Sequence, residues 1–156
     1  MQIVLHDIVY NMPFSVLTSI VTACSYSHGS IIQDGVLYDT TLTRGYFDYA
    51  HPLQEQGDRE VTIIDIPEID ATEFIKSFMH TKYDTVGLLL WPFRIQAKNK
   101  YYCFEAVVEC MRYYGIDINP KNKPVDGDMI FTYFNDRGYK CYRTQSKNVD
   151  YSWFSK

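Results

Sequence analysis

"HGSIIQDGVLYDTT", residues 28–41, holds two short apolar runs on either side of "QDG". Asp-Gly between such runs is a strong hairpin signal, because both turn residues accept positive φ at little cost. The chain therefore reverses here, and a sheet containing this hairpin is antiparallel at this point. The reversal brings His28, at the opening of the first strand, alongside Asp39, Thr40 and Thr41, at the end of the second. Neighbouring strand residues point to opposite faces, so a slip of one residue exchanges Asp39 for Thr40 beside the imidazole.

Working outward, residues 2–10 have strand character, with Val4, His6, Ile8 and Tyr10 on one side. Residues 14–24 place Phe14, Leu17, Ile20 and Val21 at helical spacing and read as a buried helix. Residues 42–59 are turn-rich and aromatic and read as a surface loop; residues 60–66 read as a strand. Residues 70–82 read as a helix, with Asp70 as cap, Glu73 completing a capping box, and Phe74, Ile75 and Phe78 as its apolar stripe. The apolar residues of 84–97 are contiguous, so their period does not separate helix from strand. Residues 102–114 read as a helix with Phe104, Val107, Val108 and Met111 inward, stopping at Gly115. Residues 126–138 read as a further helix, with Met129, Ile130, Tyr133 and Phe134 inward, followed by a strand at 139–143. Strands near both ends with helices between them predict an α+β fold, an antiparallel sheet packed on helices. At 156 residues, the expectation is a single domain over 1–156.

Charge and composition exclude several classes. Net charge is −4 and no long basic block occurs, which argues against nucleic acid as a partner. The longest apolar run, residues 86–93, is broken by Pro92, so no transmembrane segment is expected. The first residues do not form a secretory leader, and a cytoplasmic location is the expectation. Cysteines 24, 103, 110 and 141 form no zinc spacing and no CxxC pair, so free thiols in a reducing compartment are expected. Fourteen tyrosines suit a cleft or contact surface as well as a core.

The chemistry is sought at Cys103, which opens the helix of residues 102–114. A thiol there meets unpaired backbone N–H groups and the positive end of the helix dipole, both of which favour thiolate. The same N–H groups can receive an oxyanion. Free cysteine is also among the most buried residue types, so packing alone explains many such residues. A nucleophile needs a base held by a third polar group. His6 and His80 have no distinctive context and His51 lies in a loop, whereas His28 has Asp39 or Thr40 within reach across the hairpin.

The order of these pieces carries a resemblance. "SVLTSIVTACSYSHGSIIQDGVLYDTTLTRGY" (15–46) resembles the opening of the circularly permuted NlpC-like branch of the papain-fold superfamily, which includes YiiX-like hydrolases and, more distantly, the lecithin retinol acyltransferase group. "KYDTVG" (82–87) is similar to a Tyr-Asp that precedes the nucleophile in that family. "YYCFEAVVECMRYYGI" (101–116) resembles its nucleophile helix, with Phe104 where serine is common, and "KPVDGDMIFTYFNDRGYKC" (123–141) the segment that follows. The resemblance implies a permuted papain-like fold, Cys103 as nucleophile, His28 as base and Asp39 as the residue orienting it. Tyr102 is expected to support the oxyanion or cleft, with Thr40 as the alternative third residue and Glu105 as a supporting helix residue. It implies a thiol-dependent hydrolase or acyltransferase of the cysteine peptidase or amidase type, acting on an amide or ester in a peptide, lipid or protein-conjugate substrate, a chemistry that needs no metal and no cofactor. The small build suits a phage or bacterial source. The alternative is a catalytically silent shell that binds a host or partner protein.

Overall fold

The computed structural model describes residues 1–9, 13–49, 59–90, 93, 99–119 and 123–149. His51 and most of the expected 42–59 loop, like most of residues 91–98, lie outside them. In chain order the elements are β1 (Gln2–Asp7), α1 (Pro13–Thr22), β2 (Tyr26–Gln33), β3 (Val36–Thr40), β4 (Phe47–Tyr49), β5 (Glu60–Asp65), α2 (Thr72–Phe78), β6 (Lys82–Tyr83), α3 (Thr85–Leu89), β7 (Lys100–Tyr101), α4 (Cys103–Tyr113), α5 (Gly127–Asn135) and β8 (Cys141–Gln145). Six strands form one antiparallel sheet in the order β4-β3-β2-β1-β5-β8, while β6 and β7 pair in parallel beside it. The fold is α+β, as expected.

The hairpin forms where the sequence places it. Gln33 pairs with Val36, and the two residues between them, Asp34 and Gly35, both have positive φ (52° and 74°). That is the backbone of a tight hairpin turn whose twist matches the sheet. Strand alternation then sorts the core. Ile3, Leu5, Ile31 and Ile64 join the cluster containing Phe104, Val107, Val108 and Met111 of α4 and Ile130 and Phe134 of α5. Val4, Ile32, Leu37, Val61 and Ile63 form a second, smaller cluster on the other side of the same strands.

Three expectations are corrected. The helix of residues 14–24 exists as α1 but is not buried: Ile20 is 72% exposed and Leu17 39%. Helical spacing identifies an apolar face without saying that anything covers it. The segment 42–59 is not wholly loop, since β4 adds an edge strand with Asp48 opposite Asp39. The helix of residues 70–82 begins at Thr72, and its expected capping box does not form. Asp70 Oδ1 instead accepts from the Thr72 N–H at 2.9 Å, and Glu73 pairs with Lys76 at 3.0 Å. Within the undecided 84–97 segment, residues 85–89 are helical, capped by Asp84, whose Oδ1 accepts from the Gly87 N–H at 2.8 Å.

One glycine allows α4 to approach the sheet. A Cβ on Gly29 would lie 2.9 Å from Cδ1 of Phe104, and a Cβ on Gly127 would lie 3.0 Å from Cε1 of the same ring. Phe104 is thus packed between β2 and the start of α5, in space only glycines leave open. Gly29 follows His28, and Phe104 follows Cys103. Gly29→Ala should therefore cost about 1–3 kcal/mol by overpacking and shift α4 against β2. Urea denaturation is the check; an unchanged midpoint would mean that the Phe104 ring yields without cost.

Candidate active site

The strands bring His28 and Asp39 together on one face. Cross-strand pairing sets His6 opposite His28, and alternation along β2 and β3 puts His28, Ser30, Leu37 and Asp39 on the same side. His28 Nε2 donates to Asp39 Oδ2 at 2.7 Å. The imidazole is 17% exposed and the carboxylate side chain 1%. Thr40 falls on the opposite face, paired with Phe47; its Oγ1 is buried with no hydrogen-bond partner among the described residues. Of the two residues that the hairpin left open, Asp39 is the one that reaches the imidazole.

Cys103 sits at the first position of α4 and is 2% exposed. Its neighbours fasten this end of the helix. The Tyr102 N–H donates to Glu105 Oε2 at 3.1 Å. The Tyr102 hydroxyl donates to the Val125 carbonyl at 2.7 Å and accepts from the Val125 N–H at 3.0 Å. Tyr102 thus ties the start of α4 to the segment before α5, and its phenol is engaged there.

The electrostatics couple these groups. Burial alone would pull the His28 imidazole down. The negative charge of Cys103, the hydrogen bonds from Asp39 and Cys103 and the Asp39 charge outweigh it, and His28 rises from 6.5 to about 9. Burial would raise the Asp39 carboxyl, but its hydrogen bond to His28, the His28 charge and Arg44 hold it below the ordinary 3.8. Burial pushes the Tyr83 phenol well up, with further upward contributions from the charges of Cys103 and Glu105, so Tyr83 stays protonated beside the site.

Three further residues belong here that sequence reasoning passed over. Arg44 Nη2 donates to Asp39 Oδ1 and, at 2.5 Å, to the Asp39 carbonyl. His6 is fully buried, its ring centroid 5.1 Å from that of His28 and its Nε2 2.8 Å from Ser30 Oγ. Burial, with Arg59 and His28 nearby, holds His6 well below 6.5, so it is the neutral member of the imidazole pair. Arg59 Nη2 donates to Ser27 Oγ at 2.9 Å and to the Asp7 carbonyl at 2.7 Å, and its guanidinium feels the Cys103 charge. For His6 the available signal was its place on the inward side of a strand; for Arg44, its closeness in sequence to Asp39.

Cys24, Asp126 and Asp128 bring ligand atoms within 4.8 Å of one another. These groups already serve the backbone. Cys24 Sγ accepts from the Tyr26 and Asp128 N–H groups, Asp126 Oδ1 from Met129 and Asp128 Oδ2 from Ser25. Burial also pushes the Cys24 thiol up to about 12, which disfavours the thiolate a metal needs. A cavity of about 640 Å³ lies by the hairpin turn, lined by Gln2, Asp34, Gly35, Asp65 and Lys140 among others, and includes none of Cys103, His28 and Asp39. Among the described residues no helix is long and apolar enough to cross a membrane, and all four cysteines are free. Compared with protein-family profiles, with curated proteins and with solved structures, the chain matches none.

Proposed function

We propose that the chain is a thiol-dependent hydrolase or acyltransferase of permuted papain-like type, with Cys103 as nucleophile. The observation that carries the reading is the His28–Asp39 contact of 2.7 Å combined with the upward pull of Cys103 on the His28 imidazole. In this reading His28, raised to about 9 by its neighbours, takes the Cys103 proton as the sulfur attacks, forming the thiolate–imidazolium pair. The thiolate attacks the carbonyl carbon of an amide or ester. The carbonyl electron pair moves to oxygen, where the N–H groups of the first turn of α4 receive it. His28 gives its proton to the departing nitrogen or oxygen, leaving a thioester on Cys103. Water or another acceptor then attacks the thioester, His28 takes its proton, and the acyl group leaves. Asp39 holds the imidazole by Nε2 throughout, which leaves Nδ1 for the proton exchanged with Cys103. Peptide, lipid and protein-conjugate carbonyls all suit this chemistry. Four free thiols favour a reducing compartment such as the cytoplasm.

A second reading has one observation in its favour. Cys103 is only 2% exposed, as a packing cysteine would be, and a shell binding a host or partner protein needs no accessible thiol. Labelling separates the two. Burial pushes Cys24 and Cys110 up to about 12 and raises Cys141, so none of them competes as thiolate. Iodoacetamide at pH 7 should modify Cys103 first, and His28→Ala should slow that modification at least about tenfold, in the range of general-base removal. Peptide mapping by mass spectrometry reads both. Equal labelling of the four cysteines, or none before unfolding, removes the nucleophile and leaves the binding shell.

A further inference from the structure

Arg44 is held by more of the chain than any exposed ion pair requires. Its Nη2 donates to the Asp39 carbonyl and to Asp39 Oδ1, its Nε to the Tyr46 carbonyl at 3.2 Å and its Nη1 to the Tyr49 carbonyl at 3.3 Å. The guanidinium therefore spans the connection from β3 to β4, and its side chain is 21% exposed. The two oxygens of Asp39 are divided, Oδ2 to His28 and Oδ1 to Arg44. We propose that Arg44 is a positioning residue of the Cys103 site, clasping Asp39 from the side away from His28 so that the carboxylate stays charged and aimed at the imidazole. The proposal rests on the catalytic reading above and adds to it a residue that touches neither Cys103 nor His28 in any hydrogen bond described.

The physical case is the cost of a lone buried carboxylate. A side chain 1% exposed with one free oxygen would take up a proton rather than remain charged. His28 alone satisfies one oxygen, and only while it is itself protonated or donating. Arg44 is always charged and satisfies the other. The groups facing Asp39 from the surrounding elements are His28 on β2, Arg44 after β3, Asp48 opposite it on β4, and Tyr83 on β6, with His6 on β1 behind His28. Of these, Tyr83 and His6 are neutral, and Arg44 is the permanent cation.

The test compares Arg44→Gln and Arg44→Lys with the wild type in the full chain. Carbon NMR of the Asp39 carboxyl should show a titration midpoint below 3.8 in the wild type, moved up by about one to three pH units in Arg44→Gln. Iodoacetamide labelling of Cys103 at pH 5, taken relative to pH 7, should fall in Arg44→Gln by about tenfold or more. Arg44→Lys keeps the charge and loses the fork, so its midpoint should stay near that of the wild type while labelling slows at every pH. A merely structural role would lower stability without moving the midpoint, and an unmoved Asp39 midpoint in Arg44→Gln overturns the proposal. If Arg44→Gln does not fold, Arg44→Lys decides: labelling at the wild-type rate overturns it. Absence of selective Cys103 labelling in the wild type overturns the catalytic reading instead, which keeps the two failures apart.

Discussion

Cys103→Ala should abolish turnover of ester and peptide amide probes, a loss of about 10⁴-fold or more, because a nucleophile that forms the acyl-enzyme has no substitute in the site. The thiol is small, so removing a residue only 2% exposed should cost about 1 kcal/mol of stability, the scale of a small buried truncation. The combination separates a working thiol from a packing one. Turnover assays on a panel of aryl esters and peptide anilides, together with thermal unfolding of the same sample, read both quantities. Turnover retained in Cys103→Ala would remove the nucleophile, and a loss of several kcal/mol would make Cys103 a core support.

Asp39 carries the second large effect, and it appears in both rate and stability. Asp39→Asn keeps the shape and removes the charge that holds one tautomer of His28 and stabilises its imidazolium, so acylation should slow by up to about 10⁴-fold. Asp39→Ala should destabilise the fold by about 3–5 kcal/mol, since it strips the partner from a mostly buried Arg44 and from His28. Thr40→Ala should be neutral or slightly stabilising, because it deletes a buried hydroxyl with no partner among the described residues. The sign with pH follows from the two shifts. His28 is raised, so its contribution is complete below pH 6.5 and is lost as pH rises through about 9. Asp39 is lowered, so its contribution is complete above its ordinary 3.8 and is lost as pH falls through its depressed value in the fold. The stability gap between the wild type and Asp39→Ala should therefore be widest from pH 3.8 to 6.5 and narrow towards pH 9. A gap independent of pH, measured by urea unfolding across that range, would mean that the pair contributes no charge coupling.

Both predictions lean on residues that were visible in the sequence to different degrees. The hairpin was legible because its turn is local: Asp34 and Gly35 accept positive φ whatever surrounds them. Helices α4 and α5 were legible for a related reason. Their apolar residues recur at helical spacing and their ends carry Gly115 and Gly138. Cys103 at a helix start and His28 on the first strand of the hairpin could therefore be named from the chain alone, although β2 begins at Tyr26 rather than at His28.

What the sequence by itself determined, then, is the set of local preferences: the hairpin, the periodic helices, and a thiol at a helix start. The imidazole, expected at a strand opening, is the third residue of β2, and only the tertiary structure decided what stands beside it. The choice between Asp39 and Thr40 is a matter of one residue of register, and register is set by cross-strand pairing and by which face the core covers. Strands β4, β6 and β7, two or three residues each, have no pattern of their own and exist because a partner chain segment lies beside them. Whether the apolar face of α1 is covered depends on neighbours far along the chain, and among the described residues Ile20 stays 72% exposed. Arg44 and His6 carry only weak local signals, closeness to Asp39 and an inward strand position, because their roles arise from a carboxylate and an imidazole that folding brings to them. Contacts of this kind are long-range, and their energies are realised only once the backbone entropy of the intervening chain has been spent.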